Sequence, residues 1–111
     1  MAVLPTNRVA PTGKTVTYAN ASSLDKVKPG DRVFIHVKNG GGASTTVTVD
    51  DTKTVRPAGA VAFDPDLAVT IAPGSESFIG PLPAARFAGA DGYAWITYSV
   101  TTSVTIAALA V

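Results

Sequence analysis

The chain has 111 residues and a mass of 11.3 kDa, which makes one compact domain and leaves no room for a second. It has no cysteine, so disulfides, thiolate-bound zinc, iron–sulfur clusters and thiol nucleophiles are all excluded. Nine basic and eight acidic residues leave a net charge of +1, too weak a field to hold DNA, RNA or an anionic membrane.

Charged residues make up 15% of the chain, against about 25% in an average soluble domain. With a mean hydropathy of +0.27, such a surface is poorly protected against association. Much of it is therefore expected to be covered. No apolar run approaches the roughly 18 residues of a membrane span. The opening MAVLPTNRVAPTG has neither a basic n-region nor a continuous apolar h-region, so no secretory signal is expected. The chain begins at its only methionine, Met1, and reads as a whole small gene product.

Valine and threonine supply 14 residues each, and both favour a pleated sheet over a helix. Residues 1–13 are expected to form an extended arm, because Pro5 and Pro11 prevent a helix. A first strand is predicted over Lys14–Ala19. Asn20–Lys28 is polar and could hold one helical turn around Leu24. Pro29-Gly30-Asp31 then launches the clearest strand, Arg32–Lys38. There Val33, Ile35 and Val37 face the core while Phe34, His36 and Lys38 point the other way.

Asn39-Gly40-Gly41-Gly42 is expected to close a hairpin onto Thr45–Asp50, whose Val47 and Val49 turn inward. A long connection, Asp51–Asp66, follows, with room for a short strand at its start. Leu67–Ala72 is a strand with Leu67, Val69 and Ile71 on one face, and Pro73-Gly74-Ser75 turns it into Glu76–Ile79. Gly80–Gly92 is irregular. Tyr93–Ser99 and Ser103–Leu109 are expected to form a last hairpin, with Ala94, Ile96 and Tyr98 on the face opposite Tyr93, Trp95 and Thr97. The pattern predicts an all-β fold: a single β-sandwich, or a small barrel, of seven or eight mainly antiparallel strands over residues 14–111.

Signals for chemistry are weak. His36 lies mid-strand with no second ligand at a supporting spacing and reads as a surface or interface histidine. A Ser–His–Asp triad lacks any accompanying nucleophile elbow. Asp50, Asp51, Asp64 and Asp66 flank the long connection but lack the spaced pattern of a calcium loop, and aspartates commonly cap turns. Glu76 is the sole glutamate, so nothing selects a carboxylate pair for glycoside hydrolysis. The Asn39–Gly42 loop opens no helix and so lacks a phosphate-binding N-terminus. Tyr93 and Trp95 could stack sugars or bases, or serve as core or interface aromatics. No enzyme, cofactor or metal is expected.

Three phrases occur in order: RVFIHVKNGGGASTTVTV (32–49), IAPGSESFIGPLP (71–83) and GYAWITYSVTTSVTIAAL (92–109). Together they resemble small β-rich head proteins of long-tailed double-stranded DNA bacteriophages, among them capsid decoration (cement) proteins and minor capsid proteins. The resemblance implies a structural virion protein, made in the host cytoplasm, that binds the outer surface of an assembled shell and reinforces it. Its implied partner is the major capsid protein. Self-association, for instance as a trimer, is the other implied contact, and neither nucleic acid nor membrane is involved. The resemblance does not reach the arm or Asp51–Asp66; from the low charge density and the apolar termini, the expected contacts are Leu4, Pro5, Arg8 and Val9 of the arm, Leu82, Arg86 and Phe87 of the 82–87 loop, and Trp95. Burying the arm's apolar side chains would contribute several kcal/mol gross at about 25 cal/mol per Å², partly offset by ordering it. A head–tail connector or tail component is the alternative, and a carbohydrate-binding β-sandwich using Tyr93 and Trp95 is a further one.

Overall fold

The structure, a computed structural model, describes residues 2–50, 66–89 and 91–111. It is an all-β sandwich of two mixed sheets packed face to face. The strands are β1 (Ala2–Leu4), β2 (Thr6–Arg8), β3 (Ala19–Asn20), β4 (Asp25–Val27), β5 (Val33–Asn39), β6 (Thr45–Val49), β7 (Leu67–Ile71), β8 (Glu76–Ile79), β9 (Ala94–Tyr98) and β10 (Val104–Ala110). A single helical turn, α1 (Ala84–Phe87), lies between β8 and β9. The first sheet runs β1-β4-β9-β6-β7. The second runs β2-β10-β5-β8, with β3 also paired to β10.

Side-chain alternation explains the core. Ile35 and Val37 from β5, Val47 and Val49 from β6, and Ala94 and Ile96 from β9 are all fully buried between the sheets, each two residues from its neighbour as a pleat requires. Ile79, Val104, Ile106 and Ala108 join them from β8 and β10. Inward faces were therefore legible from sequence; the pairings were not.

The two expected hairpins are arches. The β5–β6 and β9–β10 connections each pass from one sheet to the other, so β5 pairs with β8 and β10, and β9 with β4 and β6. Buried Asn39 organises the first arch: its Nδ2 donates to the carbonyls of Ala43 (2.8 Å) and Ile71 (3.0 Å), and its Oδ1 accepts from the Gly41 amide (3.1 Å). Thr45 Oγ1 donates to the Val100 carbonyl at 2.7 Å, which fastens this arch to the one before β10.

Within the extended arm expected over residues 1–13, residues 2–4 and 6–8 are laced into the two sheets of the same chain. β1 pairs parallel with β4 and β2 pairs parallel with β10, with Pro5 at the crossing between them. Most of the stretch 14–19 is not strand; only Ala19 and Asn20 pair, with Ile106 and Thr105. The helical turn expected near Leu24 is strand β4 instead, because Asp25 and Val27 register against Ile96 and Ala94. The long connection expected over Asp51–Asp66, and the short strand for which its start had room, lie outside the described residues apart from Asp66.

At the end of β8 the chain passes very close beneath β5. A Cβ at Gly80, where φ is +145°, would sit 2.7 Å from Phe34 Cβ and 2.9 Å from Phe34 Cα. Neither backbone nor Cβ can yield cheaply. Gly80→Ala is expected to destabilise the fold by on the order of 2–3 kcal/mol, read from denaturant midpoints. Gly42→Ala, where a Cβ meets nothing within 4 Å, serves as the control and should stay within about 0.5 kcal/mol.

Candidate interaction surface

The second sheet's outer face carries the side chains that alternate away from the core. Register places His36 beside Phe78 and Ala107, Lys38 beside Glu76 and Thr105, and Phe34 beside Leu109. His36 is nevertheless buried. Its ring stacks on Phe78 (centroids 4.0 Å apart, planes at 12°) and meets Tyr18 edge-on at 5.5 Å. The Tyr18 hydroxyl and His36 Nδ1 share a 2.6 Å hydrogen bond, and the Lys38 ammonium lies 4.1 Å from the Tyr18 ring centre. His36 Nε2 is 3.2 Å from Glu76 Oε1 but poorly aligned, so it has no hydrogen-bond partner among the described residues. The proximity counts as a Coulombic contact only when the imidazole is protonated. His36 is thus not the surface histidine expected, because the segment before β3 folds over it.

Phe78 covers His36 and is itself 66% exposed. Beside it, a groove of about 310 Å³ is lined by Phe34, Phe78, Ile79, Pro81 and Val111, with Asp31 and Arg32 at its margin. Val111 is 58% exposed. The Val111 amide bonds to the Arg32 carbonyl and the Val9 amide to the Ala110 carbonyl. Exposed Val9 therefore lies at the same end of the sheet as the groove.

Of the residues expected to contact a partner, Pro5, Arg8, Val9, Arg86 and Trp95 are exposed. Leu4, Leu82 and Phe87 are corrected: at 4%, 0% and 1% exposure they belong to the core. Leu82 is held by its amide to the Val33 carbonyl and its carbonyl to the Gly30 amide. Phe87 is the buried side of α1, with Arg86 stacked over its ring at 4.7 Å. Phe78 was missed, since nothing local distinguishes its phase from that of Ile79.

Trp95 lies on the first sheet's outer face, away from the groove. Lys26 sits over its ring at 4.8 Å, and its Nε1 donates to Asp91 at 3.1 Å. The Lys26 ammonium, hydrogen-bonded to Asp91, holds that carboxyl down to about 2, helped by the Tyr93 amide and Trp95. Asp25, fully buried, accepts from the Ser22 amide (3.1 Å), the Ser22 hydroxyl (2.6 Å) and the Tyr98 hydroxyl (2.7 Å). Burial, followed by the Asp25 hydrogen bond and charge, raises the Tyr98 phenol far above its ordinary value of 10.0.

Among the described residues no cluster of three or more histidine or carboxylate side chains could hold a metal, and no helix is long and apolar enough to cross a membrane. Asp51 and Asp64 lie outside the described residues. The fold and this surface define an all-β sandwich domain with an apolar groove at one end of one sheet. Comparison with protein-family models, with curated proteins and with solved structures finds no match for the chain.

Two outcomes are expected. Phe87→Ala should cost about 3–5 kcal/mol of stability by denaturant unfolding, where Trp95→Ala, on the surface, should cost far less. Tyr98 ionises more readily unfolded than folded, so its contribution is intact below pH 10 and is lost as pH rises beyond it. Thermal melting from pH 9 to 12 should show that loss, and Tyr98→Phe should flatten it, though at a lower starting stability because Asp25 loses a buried partner.

Proposed function

We propose that this chain is a structural virion protein that docks on the outside of an assembled bacteriophage shell and stiffens it. The exposed Phe78 ring beside an apolar groove carries the reading. An open aromatic ring next to an apolar hollow offers a partner's side chain apolar surface to be buried against. The low charge density and the resemblance of residues 32–109 to phage head proteins point the same way. The mechanism is multivalent: many copies bridge neighbouring capsomers, and each interface adds a modest increment. Binding to the assembled shell alone stabilises that state by mass action.

The contact surface on this reading is Val9, Arg8, Phe78 and Val111 at one end of the second sheet, with Pro5 and Arg86 as flanking candidates. Lys26 covers one face of Trp95, which weakens the carbohydrate-stacking alternative. A head–tail connector or tail component is the second reading, favoured by the β8 edge, which no strand among the described residues pairs with, because a ring closes by repeating one edge contact.

Co-sedimentation with empty shells tests the proposal. The wild-type chain should pellet with shells, and a Val9→Ser, Phe78→Ser double variant that is still folded at the temperature of the assay should lose at least tenfold in occupancy. Absence of binding to shells, together with quenching of Trp95 fluorescence by oligosaccharides, would overturn it in favour of the sugar-binding class.

A further inference from the structure

We propose that the outer edge of β8 is a strand-addition site for an extended, uncharged segment of another protein chain, one that places a large apolar side chain in the Phe78 groove. The proposal goes beyond the shell reading and does not depend on it.

Register fixes which backbone groups are available. The Asn39 amide bonds to the Ser75 carbonyl at 2.9 Å, and β5 and β8 pair Val37 with Ser77 and Ile35 with Ile79. In an antiparallel ladder, hydrogen-bonded and non-bonded pairs alternate. Ser77 and Ile79 therefore bond to β5, and the amides and carbonyls of Glu76 and Phe78 face outward. Nothing among the described residues pairs there, since β8 ends its sheet. Edges of this kind are usually blunted by charge, proline or a bulge. Here the outward positions are Glu76, Phe78 and Gly80, and the only charge is Glu76, which lies back against His36.

The groove supplies what backbone bonding alone lacks. Glu76, Phe78 and Gly80 share one face, so a partner residue opposite Gly80 meets no side chain and has the groove beneath it. Phe34, Phe78, Pro81 and Val111 wall a volume of about 310 Å³, room for a large apolar side chain. Asp31 and Arg32 also line it and leave it no net side-chain charge, which matches an uncharged segment. Main-chain bonds plus a pocket for alternate side chains is the recurring pattern of peptide addition to a sheet edge.

A second folded copy fits less well. Two sandwiches meeting along four residues share a strip about 14 Å long, well short of the roughly 1,000 Å² of a stable interface. The chain itself supplies the precedent for the favoured occupant. Its residues 2–8 cover the opposite edges of both sheets as two three-residue strands.

The test uses the intact chain and an end-capped heptapeptide of alternating threonine and leucine, read by amide hydrogen exchange in NMR. In the dilute free chain the Glu76 and Phe78 amides should exchange fast while those of Ser77 and Ile79 are protected. The peptide should slow Glu76 and Phe78 at least tenfold, with a dissociation constant on the order of 0.1–1 mM. Glu76→Pro removes an outward amide at an edge that tolerates proline and should abolish the effect; Phe78→Ser should weaken it several-fold in a chain whose NMR spectrum shows it still folded, with a lowered melting temperature because His36 loses its stacked cover. Three results would each overturn the proposal: protection of both amides in the dilute free chain, protection that tracks the chain's own concentration, or equal binding of a peptide N-methylated at every residue, which leaves neither edge able to donate. Lack of any protection at about 10 mM peptide would do the same. Shell co-sedimentation of the Glu76→Pro variant separates the two readings, because retained binding leaves the shell proposal standing without this edge.

Discussion

The structure depends on β10 being covered along its whole length. Val104–Ala110 pairs with β5 over seven registered positions on one side, and with β3 and then β2 on the other. Almost every residue of it is buried. A strand enclosed in this way reads as a near-continuous apolar run rather than an alternation, and VTIAALA does so. Without β2 the last three residues would form a bare apolar edge. The N-terminus is thus a structural closure of the C-terminus: Asn7 reinforces it by donating from Nδ2 to the Ala108 carbonyl at 3.1 Å. Both ends of the chain complete one sheet, and that sheet carries the groove.

Legibility from sequence followed the range of the interactions. Period-two alternation is local, so the core faces of β5, β6 and β9 could be read directly from Val33–Val37, Val47–Val49 and Ala94–Tyr98. Sheet pairing is not local. Asn-Gly and Pro-Gly phrases reverse a chain whether it returns in the same sheet or crosses to the facing one, so the connections after Asn39 and Ile71, which both change sheet, carried the same turn chemistry as hairpins. The cover of the apolar C-terminus is likewise not local: it lies about 100 residues earlier in the same chain, at Thr6–Arg8. Strand β4 was hidden because its first residue is an aspartate, and Asp25 is tolerable in the interior only through Ser22 and Tyr98, the latter far away in sequence.

The misplaced contact residues share a cause. Leu4, Leu82 and Phe87 are single large apolar residues in stretches without periodicity, where exposure and burial leave the same trace in the sequence. Isolated hydrophobic residues next to prolines suggest a sticky loop. Here each is a plug instead: Leu4 beside the sheet crossing at Pro5, Leu82 where Gly30 and Val33 clasp the chain, and Phe87 as the inward side of one helical turn. Phe78 had the opposite fate. On a four-residue edge strand, Ser77 and Ile79 take the β5-bonded positions and Ile79 goes to the core, so the aromatic is left outside. The register that buries Ile79 is the same one that exposes Phe78.

That coupling bears on how firmly the groove is built. Its floor and walls come from β5, the end of β8 and the end of β10, and Gly80 brings two of these within van der Waals contact at Phe34. Phe78 cannot swing inward, because buried His36 already fills the space beneath its ring and is itself fixed by Tyr18. A binding surface held by packed strands loses little conformational entropy on docking. Flexible apolar surfaces must order before they bind; this one is ordered by the fold. The low charge that made the sequence look adhesive therefore resolves into two parts: most of the apolar residues close the sandwich on itself, and of the large ones left exposed Phe78 and Val111 line a rigid patch at one end of the second sheet, while Val3 and Trp95 lie on the first.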